Sequence, residues 1–499
     1  MHRPIRRAAF ALAATLLVAV VAARTGRIDE PRSVVLVIID DLGWADISPN
    51  QPDTGYDTPN FERLARDGLN FSRAYTAPVC SPSRVSLMTG RDPAASRTTE
   101  WFGTGKPRSA RMLSAARINH LPLDIATMAE RLKPAGYTTS FVGKWHLGGA
   151  SEHHPEQRGF DHSAAASGRG NPGRDGYFAP YNDFIGLDAP EGEHLPERLT
   201  SETLAFIEKA AKADSPFLSV LSFYSVHTPL GGRPDVVKKY EDRFAKLEPH
   251  DSVYAIEEQV WPNRREPRRV RIAQTNAVYA AMVEAVDEQL GRLMDALDAM
   301  DLSDNTVLLV VSDNGGLSTS EGSPTSNLPL RGGKGWLYEG GIRVPLLARF
   351  PGERGGRTIA HPVQSQDVYA TVLDAATIED DGTRGRSLRA VAAGDAADEP
   401  IFLHYPHYAN QGGFPGGVVI EGDWKFIRRY EDGRTHLYNL GRDLSERGDL
   451  AASEPSRTAR MAEMLDRWLI EHDASMLRPR AEGQRPWSPA ISEPSRPRP

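Results

Sequence analysis

Two distant stretches of this 499-residue chain read alike, and together they restrict the fold more than any other feature. The first, Ser33-Val34-Val35-Leu36-Val37-Ile38-Ile39, is an unbroken apolar run rich in β-branched residues. A strand with one wet face alternates apolar with polar. A run without alternation needs apolar cover on both faces, as in a parallel sheet flanked by helices. It ends in Asp40-Asp41. The second run, Thr306-Val307-Leu308-Leu309-Val310-Val311, ends in Ser312-Asp313-Asn314-Gly315. Open α/β sheets bind their ligands beyond the carboxyl ends of the strands. One acid pair after one strand is no more than an ordinary turn. The same arrangement twice delivers two sets of oxygen donors, which suit Ca²⁺ or Mg²⁺, whereas zinc favours His and Cys. The expected fold class is α/β: a large, mixed but mostly parallel sheet sandwiched by helices.

Cys80 is the only cysteine, so it has no intramolecular disulfide partner and no companion thiolate for a metal cluster. An isolated cysteine is more often a buried, inert thiol. Its setting, Ala77-Pro78-Val79-Cys80-Ser81-Pro82-Ser83-Arg84, argues otherwise. Pro82 and the small residues suit a turn opening a helix, whose free N–H groups favour an anion. Arg84, four residues on, is expected to pair with Cys80 across one turn. Gly143-Lys144-Trp145-His146-Leu147-Gly148 follows a short strand over Tyr137–Val142. Lys144 and His146, two apart, are expected on the same side of extended backbone. The apolar strand from Ser215 to Tyr224 runs into Ser225-Val226-His227-Thr228-Pro229. From Leu330 to Pro345, clustered glycines are expected to let the backbone approach an anion and to free Lys334 to reach it. That stretch has no Walker A spacing.

Taken together, Cys80-x-Pro82-x-Arg84 with Leu87, Thr89 and Gly90, the Gly143–Gly148 hexapeptide, the His227-Thr228-Pro229 turn and the block Gly332-Gly333-Lys334…Glu339-Gly340-Gly341-x-Arg343-Val344-Pro345 resemble type I sulfatases. These formylglycine-dependent, arylsulfatase-like enzymes belong to the alkaline phosphatase superfamily. The resemblance implies an alkaline-phosphatase-like sheet plus a small C-terminal antiparallel sheet with a helix. It also implies that a formylglycine-generating or equivalent maturation enzyme oxidises Cys80, and that the hydrated aldehyde is the nucleophile. Asp40, Asp41, Asp313 and Asn314, with a side-chain oxygen of modified Cys80, become the ligands of Ca²⁺, with Mg²⁺ as the alternative. Arg84, Lys144 and Lys334 neutralise the sulfate. Asp313 takes the proton of the nucleophile, His227 protonates the leaving group, and His146 assists the later release of sulfate. Glu339 and Arg343 hold the glycine-rich loop together.

The activity implied is hydrolysis of sulfate monoesters on a sulfated carbohydrate, on a galactose-type unit. One alternative is a phosphatase or phosphotransferase of the same fold, using Ser or Thr and typically zinc. Another is a non-catalytic sulfated-glycan binder with Cys80 unconverted. The Gly149–Pro196 loop offers His153, His154, Arg169, Asn171, Arg174 and Tyr181 as substrate contacts, none of them singled out. His404, Tyr405, His407 and Tyr408 are expected either to complete the pocket from the second subdomain or to be structural.

The remaining expectations concern organisation. A helix spans Asp124–Lys133 with Asp124 as N-cap, and a longer one spans Gln274–Met300, burying Val278, Met282, Ala285, Val286, Leu290 and Leu293. The charged, Pro-interrupted stretch from Asp235 to Arg271 reads as an exposed insertion. Short strands over Glu399–His404, Val418–Arg428 and Thr435–Leu440, then a helix over Glu454–Glu471, make a C-terminal subdomain at 386–477 behind a catalytic domain at 30–385. Residues 478–499, rich in Pro, Arg, Ser and Glu, are expected to be disordered. Arg3, Arg6 and Arg7 precede an apolar run from Ala8 to Ala23, shorter than a bilayer-spanning helix, which is the layout of a signal peptide over residues 1–23, with an uncleaved anchor as the alternative. An exported protein is expected, periplasmic or secreted, without stable membrane insertion after cleavage. A net charge of −7 gives no reason to expect nucleic acid as a partner. Oligomeric state is left open.

Overall fold

The structure, a computed structural model, describes residues 32–103, 110–213, 215–248, 251–258, 260, 267–353, 355–379 and 382–490. The signal-peptide expectation and residues 491–499 lie outside them. Among the described residues no helix is long and apolar enough to cross a membrane.

The two runs singled out in the sequence are neighbouring central strands, Ser33–Ile39 and Thr306–Ser312. They belong to an eight-stranded sheet ordered Arg357–Ile359, Leu69–Phe71, Leu346–Arg349, Thr306–Ser312, Ser33–Ile39, Phe217–Ser222, Thr138–Gly143 and His162–Ala164. The pairings are parallel except where Leu346–Arg349 meets its two neighbours. The missing alternation has the predicted cause. Val34, Leu36 and Ile38 face one core with Val85, Leu87 and Met88, while Val35, Val37 and Ile39 face another with Leu199, Met282 and Leu290. Fully burying each such side chain contributes roughly 1.5–3 kcal/mol, against a strand-propensity scale spanning about 1 kcal/mol. Two-sided burial, not propensity, fixes this strand.

Register then delivers the acids. Ile39 lies opposite Ser312, and Asp313 N–H donates to the Ile39 carbonyl at 3.2 Å. Asp40-Asp41 and Asp313-Asn314 therefore leave the sheet side by side.

The long helix runs Ala277–Ala299 and is capped by Asn276 Oδ1, which accepts from the N–H groups of Val278 and Tyr279. Its predicted face is buried except for Val278, which is only half-buried beside the cap. The shorter helix begins at Met128, so Asp124 is not its N-cap. Thr127 is, and it forms a capping box with Glu130. Asp124 lies in the turn that precedes it.

The expected exposed insertion is only partly so. It contains a helix, Pro234–Phe244, with Val236 and Tyr240 buried, and a hairpin of Tyr254–Glu257 with Arg268–Arg271. Glu257 of that hairpin pairs with Arg331 at 2.6 Å, which places it against the glycine-rich loop.

The C-terminal subdomain is a four-stranded antiparallel sheet, Ile401–Tyr405, Gly416–Glu421, Trp424–Arg429 and Thr435–Asn439 in chain order. Helix Pro455–Glu471 covers it with Met461, Leu465, Trp468 and Leu469. The tail is not free where it is described. Leu113 and Arg478 exchange backbone hydrogen bonds at 2.9 Å, and Trp487 stacks on Tyr430 with ring centroids 5.4 Å apart.

Candidate active site

Asp40, Asp41, Asp313 and Asn314 are all buried at the strand ends. Three cations interleave with the three acids. Lys144 Nζ lies 2.6 Å from Asp40, Lys334 Nζ 2.7 Å from Asp41, and Arg84 Nε 2.8 Å from Asp313. Buried charges persist when paired in this way. Asn314 Nδ2 donates to Asp41 Oδ1 at 2.8 Å, and the Asp41 N–H donates to Asp313 Oδ1 at 3.2 Å. Burial raises the Asp40 carboxyl well above its ordinary range, partly opposed by Lys144. Burial acts the same way on Asp41, but Lys334, His227 and Lys144 together outweigh it and hold that carboxyl low.

The cage is incomplete in one respect. Asp40 Oδ1, Asn314 Oδ1 and Arg84 Nη2 are buried without a hydrogen-bond partner among the described residues. Buried polar atoms are almost always paired, so orphaned oxygens ask for a ligand. Ligand atoms of Asp40, Asp41 and His227 lie within 4.8 Å of one another. An oxygen-dominated set of this kind fits Ca²⁺ or Mg²⁺.

Cys80 opens the helix Cys80–Thr89, every residue of which is buried. The Sγ lies 3.4 Å from His146 Nδ1. Burial raises the thiol above its ordinary value, with Lys144 and Lys334 opposing. Arg84 departs from expectation. It reaches across to Asp313, to the Lys144 carbonyl (2.6 Å) and to Ser222 Oγ (2.8 Å), and those groups take its hydrogen bonds in place of Cys80.

Lys144 and His146 do not share a side through extended backbone. His146 stands at φ +54°, which turns its ring to Cys80 while Lys144 goes to Asp40. His146 Nε2 lies 2.9 Å from the Phe102 carbonyl, which can only accept. We therefore assign the proton to Nε2, leaving Nδ1 as an acceptor facing Cys80. Burial, then Lys144, holds this ring well below the usual imidazole range. His227 Nδ1 lies 2.5 Å from the Thr228 carbonyl, and its Nε2 lies 3.7 Å from Asp41. Burial and Lys334 push its pKa down to about 3, with Asp41 opposing.

The glycines of the Leu330–Pro345 stretch serve a different purpose from the one expected. A Cβ on Gly315 would meet the Gly340 carbonyl at 1.9 Å, and one on Gly341 would meet the Trp336 carbonyl at 2.1 Å. Glycine on both sides lets the loop lie directly on the Asp313-Asn314 strand end. Lys334 N–H then donates to the Gly316 carbonyl at 3.1 Å. Glu339 anchors the loop, accepting from Tyr75 and pairing with Lys425 at 3.0 Å and Arg343 at 3.4 Å. Lys425 also pairs with Glu446 at 2.8 Å. Gly315→Ala is therefore expected to displace Lys334 and Asn314 together and to cut kcat/KM by about 100-fold, the cost of a misplacement near 1 Å. Steady-state kinetics check this, and an unchanged kcat/KM contradicts it.

Other candidate contacts have structural uses. In the Gly149–Pro196 loop, the His153 carbonyl accepts from Trp145 Nε1 (2.8 Å) and its ring stacks on His120. Arg169 lies over Phe184, Asn171 accepts from Gly173 N–H, and Tyr181 donates to the Glu193 carbonyl. The Arg174 carbonyl accepts from Asn182, and His154 precedes the short helix Pro155–Arg158 as its cap residue. The backbone at Gly170 does reach the site, since a Cβ there would lie 2.8 Å from His146 Cε1. His404 is structural, bound to Tyr430 and to the Ser475 carbonyl. Tyr405 donates to Glu100 at 2.9 Å, and His407 Nε2 lies 2.7 Å from Thr99 Oγ1. Tyr408 accepts from Met112 N–H. The C-terminal residues thus meet Thr99, Glu100 and Met112. Sequence reasoning missed Phe102, Ser222, Lys425 and Glu446, none of which carries a local signal.

Comparison with known proteins gives a consistent picture. The Sulfatase family model matches residues 32–378, and the model of the N-sulphoglucosamine sulphohydrolase C-terminal region matches residues 333–474. A sulfatase of Formosa agariphila is 28% identical, over 89% of each chain. The ulvan-active sulfatase of the same organism is 30% identical, over 78% of this chain and 70% of its own. The N-acetylgalactosamine-6-sulfatase of Mus musculus is 29% identical, over 75% and 69%. The crystal structure of Ps i-CgsB in complex with k-i-k-neocarrahexaose superposes with a TM-score of 0.70 at 26% identity, covering 89% of this chain and 94% of that one.

Proposed function

From a chain that belongs to the type I sulfatase family of the alkaline phosphatase superfamily, and is a sulfuric ester hydrolase, we propose an enzyme that desulfates carbohydrates, using a formylglycine made from Cys80 and a bound Ca²⁺. The observation that carries this reading is Cys80 itself. It sits where a nucleophile must, at the start of a buried helix beside an acceptor nitrogen and three cations, while burial makes its thiol harder to ionise. A protonated thiol is a weak nucleophile. Conversion of the side chain by a maturation enzyme removes the contradiction.

Asp40, Asp41, Asp313 and Asn314 would hold the cation, which when bound neutralises anionic ester oxygens as a Lewis acid. Lys144, Lys334 and Arg84 are fixed in advance by the three acids, so they meet the sulfate without reorganising. Asp313 takes the proton of the attacking hydroxyl, and His146 Nδ1, which faces position 80, takes the proton of the remaining hydroxyl as the aldehyde re-forms and sulfate leaves. His227 begins neutral, and the negative charge of a bound sulfate favours its protonation, which suits it to protonate the leaving oxygen. The carbohydrate assignment draws on the relatives, among them an ulvan-active sulfatase, an N-acetylgalactosamine-6-sulfatase and a structure holding k-i-k-neocarrahexaose. The segment 1–23 supports action outside the cytoplasm.

The test is sulfate release from a panel of sulfated mono- and oligosaccharides beside an aryl sulfate. Sulfate release from at least one carbohydrate, more efficient than from the aryl ester, is expected. Efficient cleavage of the aryl ester alone contradicts the carbohydrate reading.

A further inference from the structure

A cavity of about 560 Å³ lies in the seam between residues 100–103 and 110–119 on one side and His407, Arg478 and Arg480 on the other. It shares a wall with the reacting centre. Phe102 N–H donates to Ser81 Oγ at 3.0 Å, and its carbonyl accepts from His146 Nε2 at 2.9 Å. Glu100 and Gly103, on either side of Phe102, line the cavity.

The seam is built from segments far apart in sequence. Leu113 and Arg478 exchange backbone hydrogen bonds, and Ala115 N–H donates to the Pro406 carbonyl at 3.2 Å. Arg478 Nε and Nη2 donate to the Ser114 carbonyl. Arg117 donates to the carbonyls of Trp101 and Gly103, which fixes its guanidinium at the cavity wall.

The lining is specific in its chemistry. Met112 and Leu113 offer an apolar surface for the face of a sugar ring, while Glu100 and Asn119 offer hydrogen-bonding groups for its hydroxyls. Glu100 is only 6% exposed. Burial pushes its carboxyl up to about 7 against the pull of Arg117, so near neutrality it both donates and accepts. Arg117, Arg478 and Arg480 supply a third element. A neutral sugar needs no guanidinium, whereas a carboxylate or sulfate matches its fork of donors. The chain as a whole carries −7, so three arginines around one cavity do not follow from its composition.

We propose that this cavity is a subsite for a neighbouring sugar that carries its own negative group, a uronate or a second sulfate. The preferred substrate is then a polyanionic oligosaccharide. The inference rests on the carbohydrate reading above, and its test separates the two. The wild-type enzyme and the double variant Arg478→Gln/Arg480→Gln are assayed on four esters. These are an aryl sulfate, and sulfated disaccharides whose second sugar is neutral, uronic or itself sulfated. The wild type is expected to favour one or both acidic disaccharides over the neutral one. The double variant is expected to lose about tenfold in kcat/KM on the favoured acidic substrate, the worth of a charge-assisted contact. Its activity on the aryl and neutral esters is expected to be unchanged, which also shows that it is folded. Which acidic disaccharide responds tells uronate from sulfate. A wild type that cleaves the disaccharides without preferring an acidic one overturns the subsite. So does a double variant that loses equally on all four. A wild type that cleaves only the aryl ester overturns the carbohydrate reading itself, and the subsite with it.

Discussion

Replacing Cys80 by alanine is expected to lower turnover by about four orders of magnitude or more, as loss of a catalytic nucleophile does elsewhere. The change removes one atom from a buried helix whose other contacts are untouched, so the fold is expected to survive. Cys80→Ser is expected to behave differently. A serine hydroxyl placed beside His146 Nδ1 and the three cations has the means to accept a sulfate group. It lacks the second hydroxyl that a hydrated aldehyde uses to expel it. The serine variant should therefore take up about one sulfate per chain and then stop, read as covalent mass on the position-80 peptide. Multiple turnovers by the purified alanine variant would contradict the nucleophile assignment.

Metal removal is the second large effect. The buried Asp40 Oδ1 and Asn314 Oδ1 lack partners among the described residues, and three carboxylates crowd the same strand ends. A chelator should abolish sulfate release, and Ca²⁺ should restore it. Because the cation binds only the folded chain, chelation should also lower the melting temperature. At 100 times its dissociation constant a ligand contributes about 2.7 kcal/mol of stability. Stoichiometric zinc in the active protein, with Ca²⁺ unable to rescue the chelated form, would contradict the oxygen-site reading. It would favour the phosphatase alternative.

What was legible in the sequence was whatever a short stretch decides by itself. The unalternating run Val34–Ile39 could be satisfied only by two cores, and it has two. The acids after two such strands had to emerge on one edge once the strands paired in register. The direction of individual side chains was not legible, because neighbours in space decide it. Arg84 is spaced to meet Cys80, but a buried guanidinium pairs with a buried carboxylate where one is within reach, and Asp313 is. The spacing of Lys144 and His146 implies extended backbone, but His146 has a positive φ that turns its ring away. The loop glycines were read as room for an anion. They are room for one backbone against another, as Gly315 beneath the Gly340 carbonyl makes plain. Lys425 and Glu446 sit in unremarkable stretches of the C-terminal subdomain, yet they close a buried charge cluster around Glu339. Arg478 and Trp487 lie in a stretch whose composition reads as disorder, and contacts with distant residues place them, Leu113 and Ser114 for the first and Tyr430 and Arg428 for the second.

The mass of the peptide containing Cys80, taken from protein matured in its native host, bears most directly on the chemistry proposed for this site. Conversion of the thiol to an aldehyde leaves that peptide about 18 Da lighter than its sequence requires. The proposal predicts that lighter peptide, in an amount that tracks specific activity from one preparation to the next. Full activity from protein whose Cys80 peptide carries its unmodified mass would contradict it.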